Sequence, residues 1–240
     1  ESLSEIMYSL THSIMKLAPY GVFALIATAV GSVGIKVIYP LLKFLMCNYI
    51  ACFLQIFLIF CVALKYFAKL RVGPFFKGMK DAIVLAFTTS SSSATLPVSL
   101  ECARDHLGIS PDISGFVLSL GSTINMNGAA IGQAISAIFI AQAYGIEVTV
   151  AKICILVFVS LLSAIGAAGI PGTGILMLSV VLSAMGLPLE GIALVAGVDR
   201  LREMVSSVVN VLGDAVAAVF IAKKEKQINE EQYHAVTWLE

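Results

Sequence analysis

One segment near the end of the chain gathers the residues best able to do chemistry. Asp199, Arg200, Arg202, Glu203, Ser206, Ser207, Asn210 and Asp214 lie inside an otherwise apolar stretch from about Ile192 to Ala222. At about 100° per residue, Asp199, Glu203, Ser206, Ser207, Asn210 and Asp214 fall within a helical stripe about 100° wide, flanked by Arg200 and Arg202. In water such a stripe is a routine solvated face. In a membrane it must meet a cavity, an ion or other protein, because charge facing lipid is expensive. Carboxylates and amides in this pattern suit a hard cation, an amine, or both, since such cations take oxygen ligands. A purely structural ion-pair network is the competing reading.

Three other segments offer polar groups where the chain is apolar on both sides. Asn125-Met126-Asn127-Gly128 interrupts a long apolar run, and a break at membrane depth is tolerated where it lines a cavity. Ser90 to Ser93 and the Gly/Pro-rich run from Ile165 to Gly174 sit between short apolar arms. Backbone N–H groups at such tips, where a half-helix begins, suit a carboxylate. The phosphate-cradling pattern GxxxxGK[ST] is absent. His12, His106 and His234 share no spacing, and no nucleophile–base pair is visible, so an enzyme is not expected. Cys47, Cys52, Cys61, Cys102 and Cys154 form no CxxC pair and read as small apolar residues.

These groups need elements to hold them, and composition says what kind. Of 240 residues, 59% are hydrophobic and 12% charged, with 15 basic and 15 acidic side chains. A soluble domain carries about 25% charged residues. The chain therefore belongs in lipid; disorder and a nucleic-acid partner are excluded. Apolar runs long enough to span are expected from about Ile6 to Val33 and from Val37 to Leu64. Lys65, Lys69, Arg71, Lys77 and Lys80 then mark a cytoplasmic loop. Residues 79–106 read as a re-entrant hairpin from the cytoplasmic face. A broken span covers about 112–145, a second hairpin from outside about 150–187, and a last span about 190–223. Lys223, Lys224 and Lys226 place the C-terminus, a polar and peripheral tail over 226–240, in the cytoplasm. Hairpin plus span thus occurs twice with opposite entry. Inverted repeats around a polar mid-membrane site are the signature of secondary transporters. The expected fold class is an all-α polytopic membrane protein.

Four motifs carry a resemblance. Thr89-Ser90-Ser91-Ser92-Ser93-Ala94-Thr95-Leu96-Pro97, Thr123-Ile124-Asn125-Met126-Asn127-Gly128, Gly166-Ala167-Ala168-Gly169-Ile170-Pro171-Gly172 and Asn210-Val211-Leu212-Gly213-Asp214 resemble, in order and spacing, the hairpin tips, broken helix and last helix of the glutamate transporter family (dicarboxylate/amino-acid:cation symporters). The chain resembles that family from about its fifth span onward. The resemblance implies a homotrimer in the plasma (inner) membrane, worked by an elevator motion. It implies a scaffold helix over 1–35 and a transport domain over 36–225. Ser92 and the backbone of Ile170 and Gly174 would hold the substrate's α-carboxylate region, with Ser91 also in the substrate site. Glu203 stands at the aspartate that binds its amino group, with Ser207 and Asn210 in the same pocket. Gly121, Asn125, Asn210 and Asp214 would form one cation site. Carbonyls of Thr123, Ala164, Ile165 and Ala167 would form another, and Met126 and Asn127 belong to the cation-binding break.

Three positions depart from the family pattern. Ser206 replaces the arginine that grips a side-chain carboxylate, Ala129 replaces a pocket threonine, and Asn127 replaces an aspartate. The reading is therefore a symporter for a small, neutral amino acid. Its coupling ion is sodium or a proton, and no organic cofactor is expected. A glutamate, aspartate or C4-dicarboxylate symporter using Arg200 or Arg202 is the alternative, as is an uncoupled anion channel. Arg200 and Arg202 could instead pair with Asp199 or Glu203.

Overall fold

The computed structural model describes residues 38–167 and 169–236, with 20, 21, 23, 24, 27 and 31. The scaffold helix expected over 1–35 thus falls almost wholly outside the described residues, as does Ala168. The described chain is built of helices, with one isolated antiparallel bridge, Ile109 to Ile228.

Helix α1 starts at Ile38–Leu54 and continues through π-helical turns to Phe67. After a turn come α2 (Val72–Gly78), α3 (Lys80–Thr89) and α4 (Ser92–Glu101). α3 and α4 pack together as a helical hairpin whose tip turns at Ser90, in the left-handed region at φ 53°. Ser91 accepts a hydrogen bond from the Ala94 N–H and so caps α4. A π-helical turn over Cys102–His106 ends this arm.

α5 (Pro111–Ile124) begins with a Ser110 cap and a proline in its first turn. It stops at Asn125, and α6 (Asn127–Ala143) starts two residues later. α7 (Val150–Ile165), capped by Thr149, and α8 (Thr173–Met185) form a second packed hairpin. Its tip passes through Gly172 at φ 86°, a conformation glycine adopts without penalty. A short α9 (Ile192–Ala196) precedes α10 (Asp199–Lys224). The last span is thus not one rod from residue 190. The chain breaks at Gly197–Val198, so Asp199, Arg200, Arg202 and Glu203 occupy the first turns of α10. Among the described residues, Ile38–Phe67, Pro111–Ala143 and Asp199–Lys224 are long and apolar enough to cross a membrane. The chain is an integral membrane protein.

α10 is the axis of the fold. Val205 to Val216 are buried at every position, against α6, α5, α3, α4 and α1. Two apolar clusters flank its start. One joins the second half of α1 to α2, the first hairpin and the rest of α10. The other joins Leu41 and Phe44 of α1 to α6 and the second hairpin. Each hairpin therefore has its own core, and polar residues collect in the seam between them. Large side chains on the outer faces of α1 and α7, such as Met46, Phe57, Phe158 and Leu161, stay exposed as lipid-facing residues do.

The polar tail is less peripheral than its composition suggests. α11 (Glu230–Ala235), capped by Asn229, folds under the base of the first hairpin. The Gln232 side-chain amide donates to the carbonyls of Arg104 and Asp105, and Lys223 pairs with Glu230. Tyr233 is fully buried and donates to the Arg71 carbonyl at 2.8 Å. Burial pushes its hydroxyl above the ordinary value near 10. The folded state therefore holds this proton more tightly than the unfolded one. Its contribution is complete below about pH 10 and declines as pH rises beyond that. Tyr233→Phe should cost about 1 kcal/mol, seen as a Tm lower by about 2–4 °C in detergent.

Candidate functional site

The site is assembled where the two hairpin tips meet α10. The Ser91 hydroxyl donates to the Gly169 carbonyl at 2.7 Å, and the Ser93 N–H donates to the same oxygen at 3.1 Å. This contact is close: a Cβ at Gly169 would lie 2.6 Å from Ser92 Oγ and 2.9 Å from the Ser93 nitrogen. Beneath the joined tips lies a cavity of about 30 Å³. It is lined by Ser90 and Ser92, Met126 and Ala129, Ala167, Gly169, Ile170, Thr173 and Gly174 of the second tip, and Arg202, Glu203, Ser206, Ser207 and Asn210. That volume holds about two waters, so a larger occupant requires the tips to part. Ser90 Oγ and Ser206 Oγ are buried with no hydrogen-bond partner among the described residues. Such orphans are costly unless something polar fills the space.

Glu203 is turned toward the second hairpin. The Gly172 N–H donates to both of its carboxylate oxygens, at 3.2 and 3.1 Å. Arg202 is buried beside it; Nε meets Asp199 Oδ1 at 2.6 Å, while Nη2 stays 3.9 Å from Glu203 Oε1. Arg200 turns the other way and donates to the Thr89 carbonyl at 2.9 Å, tying α10 to the first hairpin. The two arginines thus differ in role: one serves the cavity, the other the hairpin.

A second polar cleft opens on the other side of the helix break, lined by Gly121, Asn125, Asn127, Gly213 and Asp214 among apolar side chains. The Asn125 amide donates to Asp214 Oδ1 at 2.8 Å. Asp214 is buried, and among the described residues no cationic side chain forms an ion pair with it. A lone buried carboxylate with oxygen-bearing neighbours fits a small cation.

The expected site residues are therefore divided. Ser92, Ile170, Gly174, Glu203, Ser206, Ser207 and Asn210 share the cavity, while Ser91 sits behind it and fastens the tips. Gly121, Asn125, Asn127 and Asp214 share the cleft. Asn210 does not join that group; its carbonyl oxygen accepts from the Gly128 N–H at 2.8 Å, and its amide reaches Met126 Sδ. Ala167 and Met126 line the cavity, but Thr123, Ala164 and Ile165 do not. The Thr123 hydroxyl donates to carbonyls of its own helix, and Ile165 is exposed. Ser90 falls in the serine run, and Gly172 and Thr173 in the Gly-rich run, but no separate role for any of them follows from sequence. A left-handed turn at a serine leaves no mark in composition, although the Gly-rich run did point to Gly172. No group of three or more His, Cys, Asp or Glu residues suited to a metal occurs among the described residues.

Residues 1–224 match the sodium:dicarboxylate symporter family. The chain belongs to this family. It is 36% identical over 232 residues to a proton/sodium-glutamate symport protein of Geobacillus stearothermophilus, covering 97% of this chain and 55% of the relative. It is 36% identical over 231 residues to a proton/glutamate-aspartate symporter of Escherichia coli strain K12, covering 96% and 52%. A C4-dicarboxylate transport protein of Edwardsiella ictaluri is 33% identical over 237 residues, covering 98% and 55%. The chain thus spans about half the length of these curated relatives. The family and its relatives are named as transporters, not enzymes, and their names carry glutamate, aspartate and C4-dicarboxylates. Those names lend no support to the neutral substrate expected from Ser206 and Ala129.

Proposed function

We propose that the chain carries the substrate and cation sites of a secondary symporter that moves a small amino acid across the plasma membrane. Sodium or protons drive it, and the C-terminus faces the cytoplasm. The observation that carries this reading is the pair of carboxylates on α10. Glu203 faces a cavity under two hairpin tips, and Asp214 faces a separate cleft without an ion-pair partner among the described residues. One suits a substrate ammonium and the other a cation.

The geometry supports an exchange of partners. A bound ammonium would take the Glu203 carboxylate, which frees the Gly172 N–H for the substrate's α-carboxylate. Ser92 and Asn210 complete the polar lining. The second hairpin would then close over the substrate, while the first is held by Arg200 and the tail. Residues 36–225 form the moving transport domain in this reading, and the full-length protein works as a trimer. The names of the relatives favour an acidic amino acid over a neutral one.

The test is uptake by the full-length protein in proteoliposomes with a sodium or a proton gradient imposed in turn. One gradient should drive accumulation above the outside concentration, and its collapse should abolish it. Uncoupled current without accumulation would reject the symporter in favour of an anion channel. Glu203→Gln should weaken substrate binding about 10- to 100-fold, the loss expected for one buried charge-assisted hydrogen bond. Unchanged affinity would remove Glu203 from the substrate site.

A further inference from the structure

We propose that Arg202 is the specificity-determining residue of the cavity and selects substrates that carry a second carboxylate. The inference rests on the symporter reading and assigns the acidic group a partner within it.

Three observations carry it. First, Arg202 is 3% exposed and lines the cavity, yet only part of its donor set is used. Nε is taken by Asp199 at 2.6 Å. Nη2 is 3.9 Å from Glu203, beyond hydrogen-bond reach. Among the described residues no acceptor meets Nη1 or Nη2. A guanidinium has five N–H donors in a planar fork, so the pair that would grip a carboxylate is available. Second, the space is made by two glycines on different helices. A Cβ at Gly132 of α6 would overlap Nη1, and one at Gly174 of α8 would lie 2.6 Å from Nη2. The guanidinium is wedged between the broken helix and the second hairpin, in a slot any larger residue would close. Third, Asp199 holds the inner edge of the fork from one turn before Arg202, which fixes the outer edge toward the cavity.

The same arrangement explains how Ser206 can be small. The hydroxyl leaves room on the stripe, and the positive charge arrives from four residues earlier on the helix. Glu203 and the Arg202 fork then stand at adjacent positions, one for an ammonium and one for a carboxylate. Asp199 is a positioning residue, acting through Arg202.

Acid–amide pairs of equal shape test this. In proteoliposomes of the full-length protein, uptake of labelled aspartate should be inhibited about 10- to 100-fold more strongly by aspartate than by asparagine, and likewise by glutamate over glutamine. In the Asp199→Asn/Arg202→Gln double variant, which removes both charges and leaves neither buried alone, that ratio should fall to within about threefold. Gly132→Ala, which expels the fork while keeping every charge, should lower the ratio too, with Tm reported alongside. Wild-type uptake that does not discriminate acid from amide would overturn the proposal while leaving ion-coupled uptake standing. So would an acid preference kept by a folded double variant. Absence of ion-driven uptake of any amino acid would instead remove the symporter reading itself.

Discussion

Replacing Asp214 by asparagine is expected to reduce ion-driven accumulation by about 100-fold or more, to the level of protein-free vesicles. The carboxylate is 4% exposed and, among the described residues, receives one side-chain hydrogen bond, from Asn125 at 2.8 Å. The rest of the cleft is lined by the Asn127 amide, two glycines and apolar side chains. An ionised carboxylate so placed needs a counter-charge, because burial of an isolated charge costs far more than one hydrogen bond returns. Among the described residues no side chain supplies that charge by an ion pair, so a mobile cation would. Gly121 leaves the room: a Cβ there would overlap Asp214 Oδ1 and lie 2.7 Å from Cγ. Asparagine keeps the shape and removes the charge. An ion bound at about 100 times its Kd stabilises the folded protein by about 2.7 kcal/mol, so the wild-type Tm should rise with the driving ion. The asparagine variant should show no such rise while unfolding cooperatively. An Asp214→Asn protein that still accumulates substrate against a gradient would place the coupling ion elsewhere.

The stripe containing Asp214 was legible because helical geometry is local. Six polar residues at a step of about 100° share a face whatever the fold does. The helix break at Asn125–Met126 and both hairpin tips were legible for the same reason: polar or Gly-rich runs between apolar arms have few places to go. What lay beyond sequence was how long side chains fold back and which backbones touch. Arg202 falls outside the stripe by angle, yet its guanidinium reaches the cavity because Gly132 and Gly174, remote in sequence, vacate the space. Arg200, equally charged and two residues away, is drawn off by the Thr89 carbonyl. Asn210 and Asp214 share a face but stand one turn apart, and the Gly128 N–H draws the amide toward the cavity. The tail reads as polar and peripheral until Tyr233 is seen beneath Arg71. That docking depends on a surface formed by residues far away in the chain.

Gly128→Ala should be strongly destabilising. Gly128 opens α6 against the backbone of Ser206 on α10. An added Cβ would overlap the Ser206 carbonyl oxygen and lie 2.7 Å from the Ser206 C and Cα atoms. Those neighbours are main chain in the middle of a buried helix, so no rotamer change relieves the clash. Carbon contacts want about 3.5–4.0 Å, and the helices must part by roughly 1 Å. Overpacking of this kind costs about 1–3 kcal/mol. Parting also stretches the 2.8 Å bond from the Gly128 N–H to Asn210, and an unmet buried acceptor adds about 1–3 kcal/mol. Together these predict a Tm lower by on the order of 10 °C in detergent. Gly115→Ala is the control, since the nearest atom to a Cβ there is the end of the Arg104 side chain at 3.5 Å and alanine favours a helix interior; its Tm should hold or rise slightly. The same displacement would carry Asn210 away from the cavity and open the seam between the two hairpin cores. Substrate affinity should therefore fall with stability in Gly128→Ala even though Gly128 itself does not line the cavity. A variant that keeps both would mean that α6 and α10 do not approach as closely as the glycine allows.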